Sequence, residues 1–212
     1  MKLALILLAL FATACTGTKK VAGGTSEETN ALARNEVLPV IGRDGQSKTA
    51  LAFNPSSYIA SEYDGKFSLV RAFEISAWFK IDNLPEKSDM PHNLIGKFSA
   101  EDAALPSEFS LSLLNGACET EAPAFAFFLT DENSAFDCKK AVLSKKAVEA
   151  GSWILIKAKW DGRYLTLYQD GAVVAREEKI SAVLPYSKLP VYLGKSQVSF
   201  AIDGLSLNTE AL

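Results

Sequence analysis

The amino-acid sequence predicts an all-β fold, a sandwich of two antiparallel sheets, on three observations. Apolar residues recur at every second position in many short runs, as on a strand with one buried face. Turn-forming residues separate those runs at short intervals, which suits a sandwich or barrel. A sustained 3.6-residue period is missing: Ala141 to Ala150 contains good helix formers, but its apolar positions are weakly periodic, so it reads as strand and loop.

The chain begins Met1-Lys2, continues as an unbroken apolar run to Phe11, and passes through Ala12, Thr13 and Ala14 to Cys15. A positive charge, an apolar run and then small residues is the order of a secretory signal peptide. The run is about nine residues and a membrane-spanning helix takes roughly twenty, so it predicts an export segment rather than a span. The junction resembles the lipobox of bacterial lipoproteins, with Ala12 where leucine is commonest. That resemblance implies a signal peptide over residues 1–14, acylation of Cys15, and anchoring to a membrane, since two or more acyl chains hold stably where one does not. Thr16 stands where an aspartate would retain a lipoprotein on the inner membrane, which implies the outer membrane of a bacterial cell envelope. The alternative is ordinary cleavage near Ala14, leaving Cys15 as a free thiol on a soluble protein. Residues 15–36 are expected to be the lipidated cysteine and a flexible tether, because Thr, Lys, Gly, Ser, Glu and Asn dominate and Gly23-Gly24 keeps it supple.

Removing the signal leaves about 198 residues, enough for one core, and the folded domain is expected over residues 37–212. The clearest strand is Phe73 to Ile81, where Phe73, Ile75, Ala77, Phe79 and Ile81 fall on one face. Further strands are expected at Leu51 to Phe53, Phe109 to Leu114, Phe125 to Thr130, Ile154 to Trp160, Tyr164 to Gln169, Val173 to Ala175, Val191 to Gly194 and Phe200 to Leu207.

Asp161-Gly162 and Asp170-Gly171 lie between such runs, and Asp-Gly tolerates the positive φ of a type I′ hairpin, so a three-strand meander follows. A two-residue loop at Asp161-Gly162 places Lys159 opposite Tyr164, Ala158 opposite Leu165, Lys157 opposite Thr166 and Ile156 opposite Leu167. One face then carries Ile156, Ala158, Leu165 and Leu167 into the core. The other carries Lys157, Lys159, Tyr164, Thr166, Leu155 and Tyr168, either a solvated surface or the lining of a binding groove.

Cys118 and Cys138 are the only cysteines of the mature body, and in an oxidising compartment a lone pair predicts a disulfide. Zinc is the competing reading, but two thiols twenty positions apart and the single histidine, His92, well upstream do not make a zinc spacing. The 22 basic and 25 acidic residues leave a net charge of −3 with no basic block to follow a phosphate backbone, which argues against nucleic acid as a partner.

The stretch from about Ala50 to Leu212 resembles the concanavalin A-like, laminin-G-like jelly-roll domains of bacterial surface proteins. The resemblance rests on Phe73 to Lys80, Leu94 to Phe98, Gly151 to Gly162 followed by Leu165 to Gly171, and Ile202 to Leu207, in that order and spacing. It implies a two-sheet antiparallel jelly roll. Leu155 stands where members often carry the histidine of a Trp-x-His motif, and Gly204 where they often carry glutamate, so it carries over architecture rather than activity. Calcium is the cofactor compatible with the family, and its oxygen ligands would come from loops such as Asp82-Asn83, Asp131 to Asn133 or Asp203.

Catalytic patterns do not emerge. Sandwich glycosidases need clustered carboxylates flanking one bond, whereas Glu101-Asp102 and Asp131-Glu132 are adjacent pairs in loop-like sequence that point different ways. His92 lies far from any serine in an elbow-like context and reads as a loop or strand-start residue. Ile41 to Gly45 lacks the Lys-Ser/Thr end of a phosphate loop. The expectation is a non-catalytic interaction module at the cell envelope that binds a protein partner or a glycan. A specifically lectin-like domain is the alternative, followed by a glycan-cleaving sandwich enzyme. The candidate ligand-binding residues are Lys157, Lys159, Tyr164, Thr166 and Tyr168.

Overall fold

The computed structural model describes residues 33–34, 37–55, 57–61, 72–98, 106–129, 137–178 and 189–209. The expected signal peptide and Cys15 lie outside them. Two seven-stranded sheets form, and among the described residues their strands pair antiparallel. In spatial order the first holds β1 (Ala33–Arg34), β4 (Tyr58–Ala60), β13 (Val191–Gly194), β6 (His92–Phe98), β7 (Pro106–Leu114), β8 (Ala124–Leu129) and β9 (Ala141–Leu143). The second holds β12 (Ala172–Glu178), β11 (Tyr164–Gln169), β10 (Trp153–Trp160), β5 (Phe73–Ile81), β14 (Phe200–Thr209), β3 (Ala50–Phe53) and β2 (Leu38–Val40). The jelly-roll sandwich read from the sequence is therefore the architecture. Ala33–Arg34, inside the stretch read as tether, pair with Ile59 and Tyr58.

Alternation builds the core. On β5 the odd positions are buried and the even ones half-buried, as the period of two requires. The buried rings interlock across the layers: Phe79 meets Phe125 at 5.7 Å and Phe73 meets Phe127 at 5.8 Å between ring centroids. Such tilted pairs contribute beyond the area they bury. Strand β8 is buried on both faces, because Ala126 and Phe128 pack with Leu114, Ala117 and Ala141 on its outer side. Cys118 and Cys138 are bonded at 2.10 Å, joining the turns on either side of β8. Closing that loop stabilises by about 3 kcal/mol in the chain-entropy account.

The meander forms with a corrected register. Trp160 lies opposite Leu165, Lys159 opposite Thr166, Ala158 opposite Leu167, Lys157 opposite Tyr168 and Ile156 opposite Gln169, two positions from the expected pairing. The cause is local. Asp161 Oδ1 accepts the N–H groups of Tyr164 at 2.6 Å and Arg163 at 3.0 Å, and Asp161 N–H donates to the Tyr164 carbonyl at 3.3 Å. Asp161 thereby closes the hairpin, and the corner passes to Gly162-Arg163, with only Gly162 at positive φ. At the second turn both Asp170 (φ 53°) and Gly171 (φ 83°) are positive, as a type I′ turn needs. A slip of two leaves every side chain on its expected face, since faces alternate with period two.

Candidate functional site

The two sheets turn different outer faces outward. On the first sheet Asn93, Ser110, Ser112, Ala126, Phe128 and Tyr192 point away from the core, yet none is more than 5 % exposed. The Ser110 and Ser112 hydroxyls satisfy Asn93 Oδ1 at 2.7 and 2.8 Å, so these buried polar groups serve one another. The second sheet's outer face is half-exposed along β5 and β10, and that makes it the accessible candidate.

Register arranges this face in transverse lines. Thr166 lies between Lys159 and Arg176, with Glu74 beyond Lys159. Lys157 lies between Tyr168 and Ser76, Leu155 beside Trp78, and Trp153 beside Lys80. Four aromatic rings therefore share the face, each with a cation against it. Arg176 lies 4.2 Å and Arg163 5.2 Å from the centroid of Tyr164, and Lys157 5.2 Å from Tyr168. Arg43 lies 4.7 Å from Trp78, and Lys80 5.7 Å from Trp153. Such contacts hold the long basic side chains close to the sheet. Ion pairs add to this order: Lys157 Nζ to Glu74 at 3.6 Å and Arg163 Nε to Glu178 at 2.6 Å.

The five residues singled out from the sequence are brought together, but unequally. Lys157, Lys159, Tyr164 and Tyr168 are half-buried, whereas Thr166 is 6 % exposed and forms the floor between its longer neighbours. Trp78, Trp153, Arg176 and Glu74 were missed. The alternation of Phe73 to Ile81 already puts Glu74 and Trp78 on an outer face, but nothing local says that β5 lies beside β10. Arg176 arrives through β12, whose pairing with β11 shifts between Leu167 and Tyr168.

Burial of Asp161 opposes its ionisation, but the N–H groups of Tyr164 and Arg163 and the charges of Arg176 and Lys159 outweigh it and hold the carboxyl below its ordinary range. His92 opens β6; burial pushes its imidazole below the usual value, and Nε2 has no hydrogen-bond partner. Among the described residues no three His, Cys, Asp or Glu side chains gather as a metal site. Asp82 faces Lys80 at 3.8 Å, and Asp203, which lies within β14 rather than in a loop, accepts the Arg43 N–H at 3.2 Å. Asp131 to Asn133 lie outside the described residues.

The fold agrees with the comparisons. The profile described as the concanavalin A-like lectin/glucanases superfamily matches residues 53–212, and the chain belongs to that family. Among solved structures it is similar to the binding domain of Paraclostridial Mosquitocidal Protein 1, at 17 % identity and a TM-score of 0.66, over 87 % of this chain and 45 % of that one. It is similar to the ligand-binding domain of botulinum neurotoxin serotype D, solved with N-acetylneuraminic acid, at 14 % identity and a TM-score of 0.59, over 87 % and 44 % of the two chains. A third is domain 4 of AbnA, an extracellular arabinanase from Geobacillus stearothermophilus, solved with arabinotriose, at 17 % identity and a TM-score of 0.57, over 84 % and 78 %. At these identities the likeness is one of fold. The chain spans less than half the length of the two toxin domains. No curated protein sequence is similar enough to count as a relative.

Proposed function

We propose that this chain is a non-catalytic carbohydrate-binding module, carried at the bacterial cell envelope by lipid on Cys15, and that the outer face of the second sheet meets the glycan. The observation that carries the reading is the exposure of that one face, with Trp78, Trp153, Tyr164 and Tyr168 set among polar and basic side chains. Rings with polar neighbours suit sugars, which offer an apolar face and a rim of hydroxyls. Two structures of similar fold were solved with sugars, which supports the ligand class. The lipid anchor rests on the run from Met1 to Cys15.

A glycan array probed with the full chain tests this. Binding to a defined subset is expected, weakened by Tyr164→Ala and Tyr168→Ala while the melting temperature holds. Silence across the array, with proteins co-purifying instead, would replace the reading with a protein-binding one.

A further inference from the structure

Three basic groups on this face are neutralised within it. Lys157 pairs with Glu74, Arg163 with Glu178, and Lys80 with Asp82. Lys159, Arg176 and Arg43 make no ion pair among the described residues; Arg43 lies over Trp78, whereas Lys159 and Arg176 stand together. Lys159 and Arg176 flank Thr166 in one transverse line, Lys159 opposite Thr166 and Thr166 opposite Arg176. Adjacent strands lie about 4.8 Å apart, so the two backbones stand roughly 10 Å from each other, a gap that two long side chains can close around one small anion.

We propose that Lys159, Thr166 and Arg176 bind a carboxylate of an acidic glycan, an inference that rests on the carbohydrate-binding reading above. Arg176 lies over the Tyr164 ring at 4.2 Å, and a guanidinium held against a ring can still offer its N–H fork to a carboxylate. Thr166, 6 % exposed, forms the floor between Lys159 and Arg176. Two acids stand near these cations: the Asp161 carboxylate is engaged by the N–H groups of Tyr164 and Arg163, and Glu74, opposite Lys159, is paired with Lys157. A neutral sugar would have to displace two guanidinium groups to stack on Tyr164 and an ammonium to stack on Tyr168. A uronate uses the charge already there.

Calorimetry with the full chain compares an oligomer of galacturonic acid with the matching neutral oligomer of galactose. The acidic oligomer is expected to bind and to weaken as salt rises. Lys159→Gln and Arg176→Gln should each cost about tenfold in Kd, the size of one charge-assisted hydrogen bond, with melting unchanged. Lys145→Gln, beside Lys146 at the far end of the hairpin, should bind as the parent does. Equal binding of both oligomers, or unchanged affinity in the two variants, overturns the proposal. Binding of the neutral oligomer alone, lost on Tyr164→Ala, overturns it while leaving the carbohydrate reading intact. Failure of both oligomers together with a silent glycan array overturns both.

Discussion

His92 shows how one side chain makes stability depend on pH. The unfolded imidazole takes its proton near 6.5, whereas burial makes the folded one resist protonation until lower pH. Below 6.5 the unfolded chain therefore binds more protons, and stability falls with pH until the folded group titrates as well. His92→Gln should flatten that part of the profile, read from denaturant midpoints between pH 7 and 5. An unchanged slope would mean that other groups carry it. Asp161 acts on a different window. Its folded pKa is depressed, so its contribution is complete above the unfolded value of 3.8 and is lost only as pH falls through the lower folded one. The two residues are separable by pH alone.

Among the elements, the β10–β11 hairpin carries both the core and the candidate site, one on each face. Leu165 and Leu167 are fully buried while Tyr164 and Tyr168 are half-buried. Leu165→Ala should cost about 2 to 5 kcal/mol, because the lost methyl groups leave a cavity in a packed layer. Lys159→Ala should stay within about 0.5 kcal/mol, since its side chain reaches into solvent. Chemical denaturation distinguishes them, and a Leu165→Ala variant as stable as Lys159→Ala would contradict the face assignment. The observed register differs from the one a corner at Asp161-Gly162 predicts, because an aspartate can also cap the corner from outside it. That choice depends on whether the Asp161 carboxylate finds the Arg163 and Tyr164 N–H groups, which dipeptide identity does not encode.

For the molecule as a whole, the sandwich exposes one outer face and buries the other, so the position of a membrane anchor bears on access to the glycan. The proposed lipid on Cys15 is checked by growing a bacterium that expresses the full chain with labelled fatty acid. The label and partition into detergent should both disappear on Cys15→Ser. A serine variant that keeps the label would sink the lipobox reading without touching the fold. The disulfide acts at this scale too, since it ties the turns on either side of β8, a central layer of the core.

What the sequence determined by itself was most of the longer strands and the face on which their side chains lie. Phe73 to Ile81 and Tyr164 to Gln169 match the observed strands end to end. Face assignment is a matter of local parity, which survives even a slip of two. The short strands β1, β2 and β4 were not legible, because two or three residues give a period no room to show, and β6 was not among the expected strands either, because Asn93 to Lys97 are buried on both faces and do not alternate. Only the tertiary structure decided that β5 lies beside β10 and β12 beside β11, which brings Glu74 to Lys157 and Arg176 to Tyr164. It also decided that the first sheet's outer face is buried and the second's is not. Strand order and burial depend on contacts between residues far apart in the chain, and a local pattern carries no record of which partner closes that distance.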